Sequence, residues 1–475
     1  MGADVDRVCA GLESVLSRFK YNLHTVRVIE ELKRIEGYLE SEPEGFDKKL
    51  EGRMNAGDKF RKDSDIEAAL ALLALSNIRR FRRAQGHESK PIPRQAYLFR
   101  SLKRPEEVNA LRRIYGSNLL VLGIHTGRDK RIENLSELIA HSYFSAQRDH
   151  YRDRAESLII RDESDETQKH GQQLRKAFPL ADFFLDSSNA QDIEAEIERF
   201  LNLLFGKPVV TPTRPEIGMA HAHIASLRSA EMGRQVGAAI TDRGGNVIAV
   251  GTNEVPKAGG GNYFDGDSPD GRDWRKGFDS SDHYKKASLG ELLSTLADKN
   301  FLSKELRDLT TTDLVEKVTP VIKRTRYMQL IEFIRATHAE VSALMDAARR
   351  GVPVEGCTMY VTTFPCHECA RNIVTSGVAR VVYIEPYAKS LAFELHDDAI
   401  QLDTDTDQTK IPFTPFLGVS PTNYSNIFQT PVRKSDAGMV LKWNSAKAQP
   451  RVSGSFWSYL QYEKEDVKIL RDTLS

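Results

Sequence analysis

Short apolar runs alternate with amphipathic stretches along most of the 475-residue chain, the pattern of an α/β protein. Val5 to Phe19 and Ile66 to Ile78 have helical spacing, and Asn118 to Ile124 (NLLVLGI) reads as a buried strand running into a polar turn. Two prolines within Thr211 to Pro215 (TPTRP) break a helical pattern that ends around Phe205, which sets a boundary between a domain over 1–210 and a second over 215–475. Beyond it, Val236 to Asn253 (VGAAITDRGGNVIAVGTN) is two strand-like runs joined by Arg243-Gly244-Gly245-Asn246, the signal of an antiparallel hairpin. Gly259 to Lys286 holds six Gly and six Asp in 28 positions, too polar to build a core, and reads as a loop or lid within an insertion over 257–325. Thr325 to Arg350 keeps helical spacing until Gly351-Val352-Pro353 ends it. Thr358 to Thr363 then reads as a strand, Cys366 to Ser376 as a helix and Val378 to Ile384 as a buried strand.

Composition narrows the class. Hydrophobic residues at 40%, charged residues at 28% and 21 Phe describe a globular protein and exclude collagen, coiled coil and disordered chains. The uncharged run Ile411 to Val432 carries Pro412, Pro415, Pro421 and Pro431, so it reads as an irregular polar segment and not as a membrane helix. No basic-then-apolar leader opens the chain, and a cytoplasmic location without membrane partners is expected. Sixty-seven basic residues balance 67 acidic ones, so any polyanion site must be local. Four cysteines, Cys9, Cys357, Cys366 and Cys369, are too few for a disulfide framework and point to metal or catalytic use in a reducing compartment.

The chemistry concentrates in His338-Ala339-Glu340 and, 26 residues after Glu340, Cys366 within Pro365-Cys366-His367-Glu368-Cys369. His338, Cys366 and Cys369 are three donors suited to tetrahedral zinc (Zn2+), and three protein donors leave the fourth position to water, as in a catalytic site. Residues two apart on a helix point about 200° apart, so His338 and Glu340 serve one metal-bound water only near a helix N-terminus; Thr337 is then the expected N-cap, and the helical run before it must break near Ala336. Pro365 is expected at the first position of the next helix, whose dipole would stabilise both thiolates. Zinc lowers the pKa of bound water toward roughly 7, and Glu340, held off the metal, would relay its proton to a ring nitrogen and a leaving amine. That chemistry is hydrolytic deamination of a cytosine or adenine ring. The alternative is a structural knuckle, for which His367 is the near substitute as fourth ligand.

These motifs, with Arg234-Gln235-Val236-Gly237-Ala238, Gly251-Thr252-Asn253-Glu254-Val255-Pro256 and Thr362-Thr363-Phe364, resemble the cytidine and deoxycytidylate deaminase superfamily. The resemblance implies an α/β/α sandwich in the C-terminal domain, Asn253 on the sugar or phosphate, and Thr362 and Phe364 lining the base pocket. It makes Arg234 a phosphate contact, with a surface salt bridge as its other reading. The 81 positions between Pro256 and His338 exceed what a deoxycytidylate deaminase needs. Phe99 to Glu107, Arg161-Asp162-Glu163, Ala181-Asp182-Phe183-Phe184 and Ile384 to Leu391 resemble one subgroup, the bacterial antiviral dCTP deaminases with a P-loop-kinase-like N-terminal domain. Such proteins deplete dCTP, and dCMP, against phage. The resemblance adds Tyr387, Lys389 and Ser390 as base and phosphate contacts, self-association, and an inhibitory small RNA or nucleotide effector as partner.

No Gly-x-x-x-x-Gly-Lys-Ser/Thr occurs, so the kinase-like domain is degenerate and without kinase turnover; Met1-Gly2-Ala3-Asp4 resembles the tail of such a loop, with a misassigned start or an absent first strand as its two explanations. Arg79 to Arg113 holds 11 basic and 3 acidic residues, densest at Arg79, Arg80, Arg82 and Arg83, and reads as a solvated helix face or a docking surface for RNA or phosphates. Calcium in the Gly/Asp loop, through Asp265, Asp267, Asp270 and Asp273, is discounted because Lys276 stands where an EF-hand places its bidentate Glu. Three rivals to nucleotide deamination stand: a polynucleotide-editing deaminase, disfavoured by 32 basic and 33 acidic residues after Lys207; a nucleotide kinase; and a non-enzymatic RNA-binding regulator.

Overall fold

The computed structural model describes residues 1–39, 43–165, 170–188, 192–323, 325–386, 390–402, 407–429, 432–451 and 458–474. It divides into two compact units, Met1–Glu216 with Pro415–Ser475, and Ile217–Thr414. The lower boundary falls at the TPTRP break. The upper one differs from the expected 215–475, because the chain beyond Thr414 returns to the first unit.

The first unit is α/β. Strands β1 (Asn22–Arg27) and β2 (Gln95–Arg100) pair in parallel, with Asn22 opposite Gln95 and Arg27 opposite Arg100. β3 (Leu122–His125) and β4 (Phe183–Asp186) form a second parallel pair, and Gly418–Val419 adds antiparallel to β4. The uncharged run is therefore not irregular throughout: it supplies this strand and the helix Tyr424–Phe428, both packed in a core with Phe183, Phe200 and Phe205. The C-terminal helix Ser458–Leu474 buries Leu470 among Leu72, Leu75 and Leu111.

That helix also explains the basic segment. Arg82, 3% exposed, donates to Glu463, 0% exposed, which also accepts from the Tyr115 hydroxyl at 2.6 Å. Arg80 pairs with Glu31, Arg83 with Glu88, Arg100 with Asp6, Arg104 with Glu67, Arg112 with Asp182 and Arg113 with Asp466. Most of the excess charge is thus neutralised by acids distant in sequence, and Arg82 and Arg104 are buried instead of solvated. Replacing Glu463 by Ala leaves the Arg82 guanidinium buried without its partner, so the first unit should lose about 3–5 kcal/mol of stability. Urea unfolding of the full chain, followed by far-UV circular dichroism, checks this.

The second unit carries a six-stranded sheet. Its strands are β5 (Gly237–Thr241), β6 (Val247–Thr252), β7 (Thr358–Thr363), β8 (Arg380–Glu385), β9 (Ile400–Leu402) and β10 (Ile411–Pro415), in the order β6-β5-β7-β8-β10-β9. β5 and β6 form the expected hairpin, β5 also runs antiparallel to β7, and β7 and β8 are parallel. Met359 and Val361 of β7 pack with Ala339, Ala343 and Ala370 from the helices Ala339–Arg349 and His367–Ser376. Tyr360, pointing the other way as alternation requires, sits against Gly218 of the helix Arg214–Ser226. Both faces are covered, giving three layers. Small residues set the spacing: a Cβ on Gly251 would strike the backbone of Ala339 and Ala343, so only glycine lets the Glu340 helix lie this close to β6.

The insertion is more ordered than its composition suggests. A short helix, Asp273–Lys276, precedes a 19-residue helix, Ser280–Asp298, capped by the Asp279 side chain, which accepts the Asp282 N–H at 2.8 Å. Leu289 and Leu293 of that helix and Leu314 of the helix Thr311–Ile322 form a small core. Among the described residues, no helix is long and apolar enough to cross a membrane.

Candidate active site

The helical run from Thr325 breaks ahead of His338, as one metal-bound water shared by His338 and Glu340 requires. Only Ala339–Arg349 is α-helical, after a 3-10 turn over Arg326–Gln329. The cause is long-range: the Thr337 N–H donates to the Glu254 carbonyl at 3.0 Å, and the Glu254 N–H returns a bond to Thr337 at 3.3 Å. This bridge holds the backbone extended up to Thr337, so His338, at φ −62° and ψ 152°, is the N-cap in place of Thr337. The second helix shows the same one-residue displacement. Pro365 lies before the cap, Cys366 is the N-cap and the helix starts at His367. The Cys366 Sγ accepts the Cys369 N–H at 3.5 Å, which places a thiolate at the positive end of the helix dipole.

The two helix starts bring together the three predicted ligands. His338 Nδ1 lies 3.3 Å from Cys366 Sγ and 3.3 Å from Cys369 Sγ, and the three donor atoms fall within 4.8 Å of one another. Tetrahedral zinc needs sulfur–nitrogen separations of about 3.6 Å and sulfur–sulfur separations of about 3.8 Å, given bonds of about 2.3 Å and 2.0–2.1 Å. The two sulfur–nitrogen separations are within a few tenths of an ångström of the first value, and the soft donor set suits zinc. Cys366 is held well below the ordinary thiol range, at about 4, by hydrogen bonding with Cys369 and then with His338. Among the described residues no fourth His, Cys, Asp or Glu joins the group, which leaves His367 outside it and disfavours a closed knuckle.

Glu340, 4% exposed, sits one helical position beyond Ala339 on the same element as His338. Burial pushes its carboxyl up to about 7, against the lowering effect of the His338 ring. A carboxyl that binds and releases a proton near neutrality, beside a metal site and outside its donor set, has the properties of a general acid and base.

The remaining predicted residues divide. Asn253 is buried and engaged with the chain: its Oδ1 accepts the Val236 N–H at 2.7 Å, and its Nδ2 donates to the Arg234 carbonyl at 2.6 Å. Thr362 Oγ1 accepts the Gly237 N–H at 3.1 Å. Phe364 is 7% exposed and packs on Tyr383, Phe393 and Phe413. Arg234 forms an exposed ion pair with Glu385 at 2.7 Å. Ser390 Oγ donates to the Pro365 carbonyl at 2.8 Å, steadying the turn before Cys366. Tyr387 and Lys389 lie outside the described residues. Asn253→Ala removes both ties of the loop at 234–236, so nucleotide KM should rise several-fold with about 1–3 kcal/mol lost in stability. Steady-state kinetics with parallel thermal melts checks both.

Glu254, Glu231, Arg335 and Asp273 support the site in ways their local sequence does not signal. The Glu254 carboxylate, 1% exposed, accepts the Ala230 and Val255 N–H groups, each at 2.8 Å, and lies 3.9 Å from Arg272. Arg335, three residues before His338, donates to the Gly271 carbonyl at 2.9 Å and to Asp273 at 2.5 Å. Burial raises the Glu231 carboxyl, reinforced by Asp279, Asp273 and Glu254, and Glu231 in turn acts on His338. No local motif announces these roles, because each partner comes from a separate segment.

Residues 213–385 match the cytidine and deoxycytidylate deaminase zinc-binding region. The deoxycytidylate deaminase of Enterobacteria phage T2 is 51% identical over 53 residues, 11% of this chain and 28% of the phage protein. That of Pongo abelii is 26% identical over 170 residues, 36% of this chain and 64% of the primate protein. The chain therefore matches between about a quarter and two thirds of the length of these relatives. A dCMP deaminase from the cyanophage S-TIM5, solved with dCMP and dUMP, aligns over 43% of this chain and 98% of its own at 16% identity and a TM-score of 0.24.

Proposed function

We propose that the Ile217–Thr414 unit is a hydrolytic deaminase that converts dCTP, dCMP or both to the deoxyuridine nucleotide and ammonia. The observation that carries this reading is the convergence of His338, Cys366 and Cys369 around one point, with Glu340 buried beside them and outside the donor set. A zinc ion on those donors would supply an acidified water. Glu340 takes the water proton, delivers one to the ring nitrogen next to the carbon under attack, and carries one to the exocyclic amine. The C–O bond forms, the C–N bond breaks and ammonia leaves. Thr362, Phe364, Asn253, Arg234, Tyr387, Lys389 and Ser390 are assigned to the nucleotide on the strength of the family resemblance. Arg234 would exchange Glu385 for phosphate.

The finer parts of the proposal are removal of dCTP in antiphage defence, a kinase-like first unit without kinase turnover, self-association, an inhibitory small RNA or nucleotide effector, and a cytoplasmic site of action. The resemblance to antiviral dCTP deaminases supports them, and the parallel strand pairs of the first unit are compatible with a degenerate kinase fold. One observation favours a second reading, a polynucleotide substrate: Trp274, 40% exposed, has Arg275 at 4.2 Å from its ring, and the exposed Phe264 lies 3.6 Å from the Arg228 guanidinium.

Incubation of the purified chain with dCTP, dCMP, deoxycytidine and single-stranded DNA, followed by quantification of uracil and ammonia, separates the readings. The expected result is turnover of a mononucleotide without conversion in DNA. Uracil formed in DNA alone, or in none of the four, contradicts the proposal.

A further inference from the structure

The insertion is tied to three segments that surround His338. Asp273 accepts from the Arg335 guanidinium at 2.5 Å, and the same nitrogen donates to the Gly271 carbonyl at 2.9 Å. The preceding residue, Arg272, is held by Asp270 at 2.8 Å and stands 3.9 Å from the Glu254 carboxylate. Asn262, 9% exposed, donates to the Glu254 carbonyl at 2.9 Å. It also accepts from the Ser342 hydroxyl at 3.2 Å, in the first turn of the Glu340 helix.

His338 needs support of this kind. A helix commonly fixes its first residue through a cap side chain that accepts a backbone N–H. His338 makes no such bond, because its ring points at the two sulfurs. Its backbone is set instead by what precedes it, the paired backbones of Thr337 and Glu254. That pairing is an isolated bridge of two hydrogen bonds, whose net gain is comparable to the entropy lost in ordering a residue or two. Such a bridge stays formed only when neighbouring contacts hold it. Arg335 lies two residues before Thr337, and its two charge-assisted bonds to the insertion are among those contacts. Asp273 is itself fixed, since its other oxygen accepts the Ser280 N–H at 2.8 Å at the start of the helix Ser280–Asp298.

We propose that Asp273 and Arg335 are positioning residues for the metal centre: their ion pair holds the segment before Thr337 so that the His338 imidazole faces Cys366 and Cys369. The insertion then acts as a fixed support of the site and not as a lid. The effect on turnover rests on the deaminase reading, whereas the effect on zinc binding does not.

The test uses the full chain. Asp273→Asn keeps the shape and the Ser280 contact and removes the charge, and Arg335→Met removes the pair from the other side at a half-buried position. Each should weaken zinc binding about tenfold, read by competition with a chromophoric chelator, the low end of what losing a residue that supports a metal ligand costs. For deamination, kcat should fall by a similar factor, with KM for the nucleotide changed less than about twofold. Arg335→Lys, which keeps the charge, should recover most of the zinc affinity. Lys257→Met breaks the Lys257–Asp267 pair inside the insertion and should bind zinc as the wild type does. Thermal melts on the same samples separate positioning from folding. Variants at Asp273 and Arg335 that melt lower but keep wild-type zinc affinity overturn the proposal, as does an equal loss in Lys257→Met. Should Asp273→Asn fail to fold, the two Arg335 variants carry the comparison. A wild type that binds zinc and deaminates no cytosine compound sinks the deaminase reading instead, and the chelator competition still decides the support.

Discussion

Glu340→Gln is expected to lower deamination about a hundred- to ten-thousandfold while zinc stays bound. Gln fills the same space and keeps a hydrogen-bonding end, but it neither takes a proton from water nor carries one to the leaving amine. The site is enclosed enough that no solvent group substitutes: Glu340 is 4% exposed, and its neighbours Ala339 and Ala343 are fully buried. The loss should fall on kcat, with KM for the nucleotide nearly unchanged, because the carboxyl acts on the proton and not on the phosphate or sugar. Removing a carboxyl that burial holds near neutrality should leave the fold intact. Stopped assays of ammonia release, with zinc measured on the same samples, give both numbers. Retained turnover with retained zinc would remove Glu340 from the proton path.

Cys369→Ser should produce the opposite pattern, with zinc content falling from one per chain toward none and activity lost along with it. Cys369 is 1% exposed and its Sγ is 3.3 Å from the His338 ring, so no other described donor lies in place to take over. A serine hydroxyl is a weaker and harder ligand than a thiolate, and a site reduced to one imidazole and one thiolate binds zinc poorly. The buried Cys357, 6% exposed, supplies the control. It lies just before β7 and belongs to no donor group, so Cys357→Ser should keep zinc and activity. Elemental analysis of the two purified variants distinguishes them directly, and equal zinc in both would require a different metal site.

The parts of this molecule that were legible in sequence are those whose cause is local. The hairpin around Arg243 to Asn246 follows from turn residues between two apolar runs, and His338, Glu340, Cys366 and Cys369 announce themselves by spacing and donor chemistry. What escaped depends on partners far along the chain. Thr337 looks like the cap of the Glu340 helix until Glu254 claims its backbone, and only then does His338 become the first residue free to point its ring at the two sulfurs. The arginines around position 80 look like a positive stripe because their acids, Glu31 and Glu463, are remote. The tail after Thr414 looks like a continuation of the second domain because pairing of Val419 with Phe183 leaves no periodic signature in two residues. The Gly/Asp stretch reads as a loop because its aspartates serve as caps and ion-pair partners for arginines elsewhere, Asp273 for Arg335 above all.

The proposed chemistry depends on an incomplete cage of two sulfurs and one imidazole that leaves a coordination position for solvent. X-ray absorption at the zinc edge on the purified full chain measures it without reference to any substrate. One zinc per chain is expected, with two sulfur neighbours at about 2.3 Å and two light-atom neighbours at about 2.0–2.1 Å, one of them an exchangeable oxygen. Three or four sulfur neighbours, a second imidazole closing the shell, or no zinc bound with nanomolar affinity would contradict it.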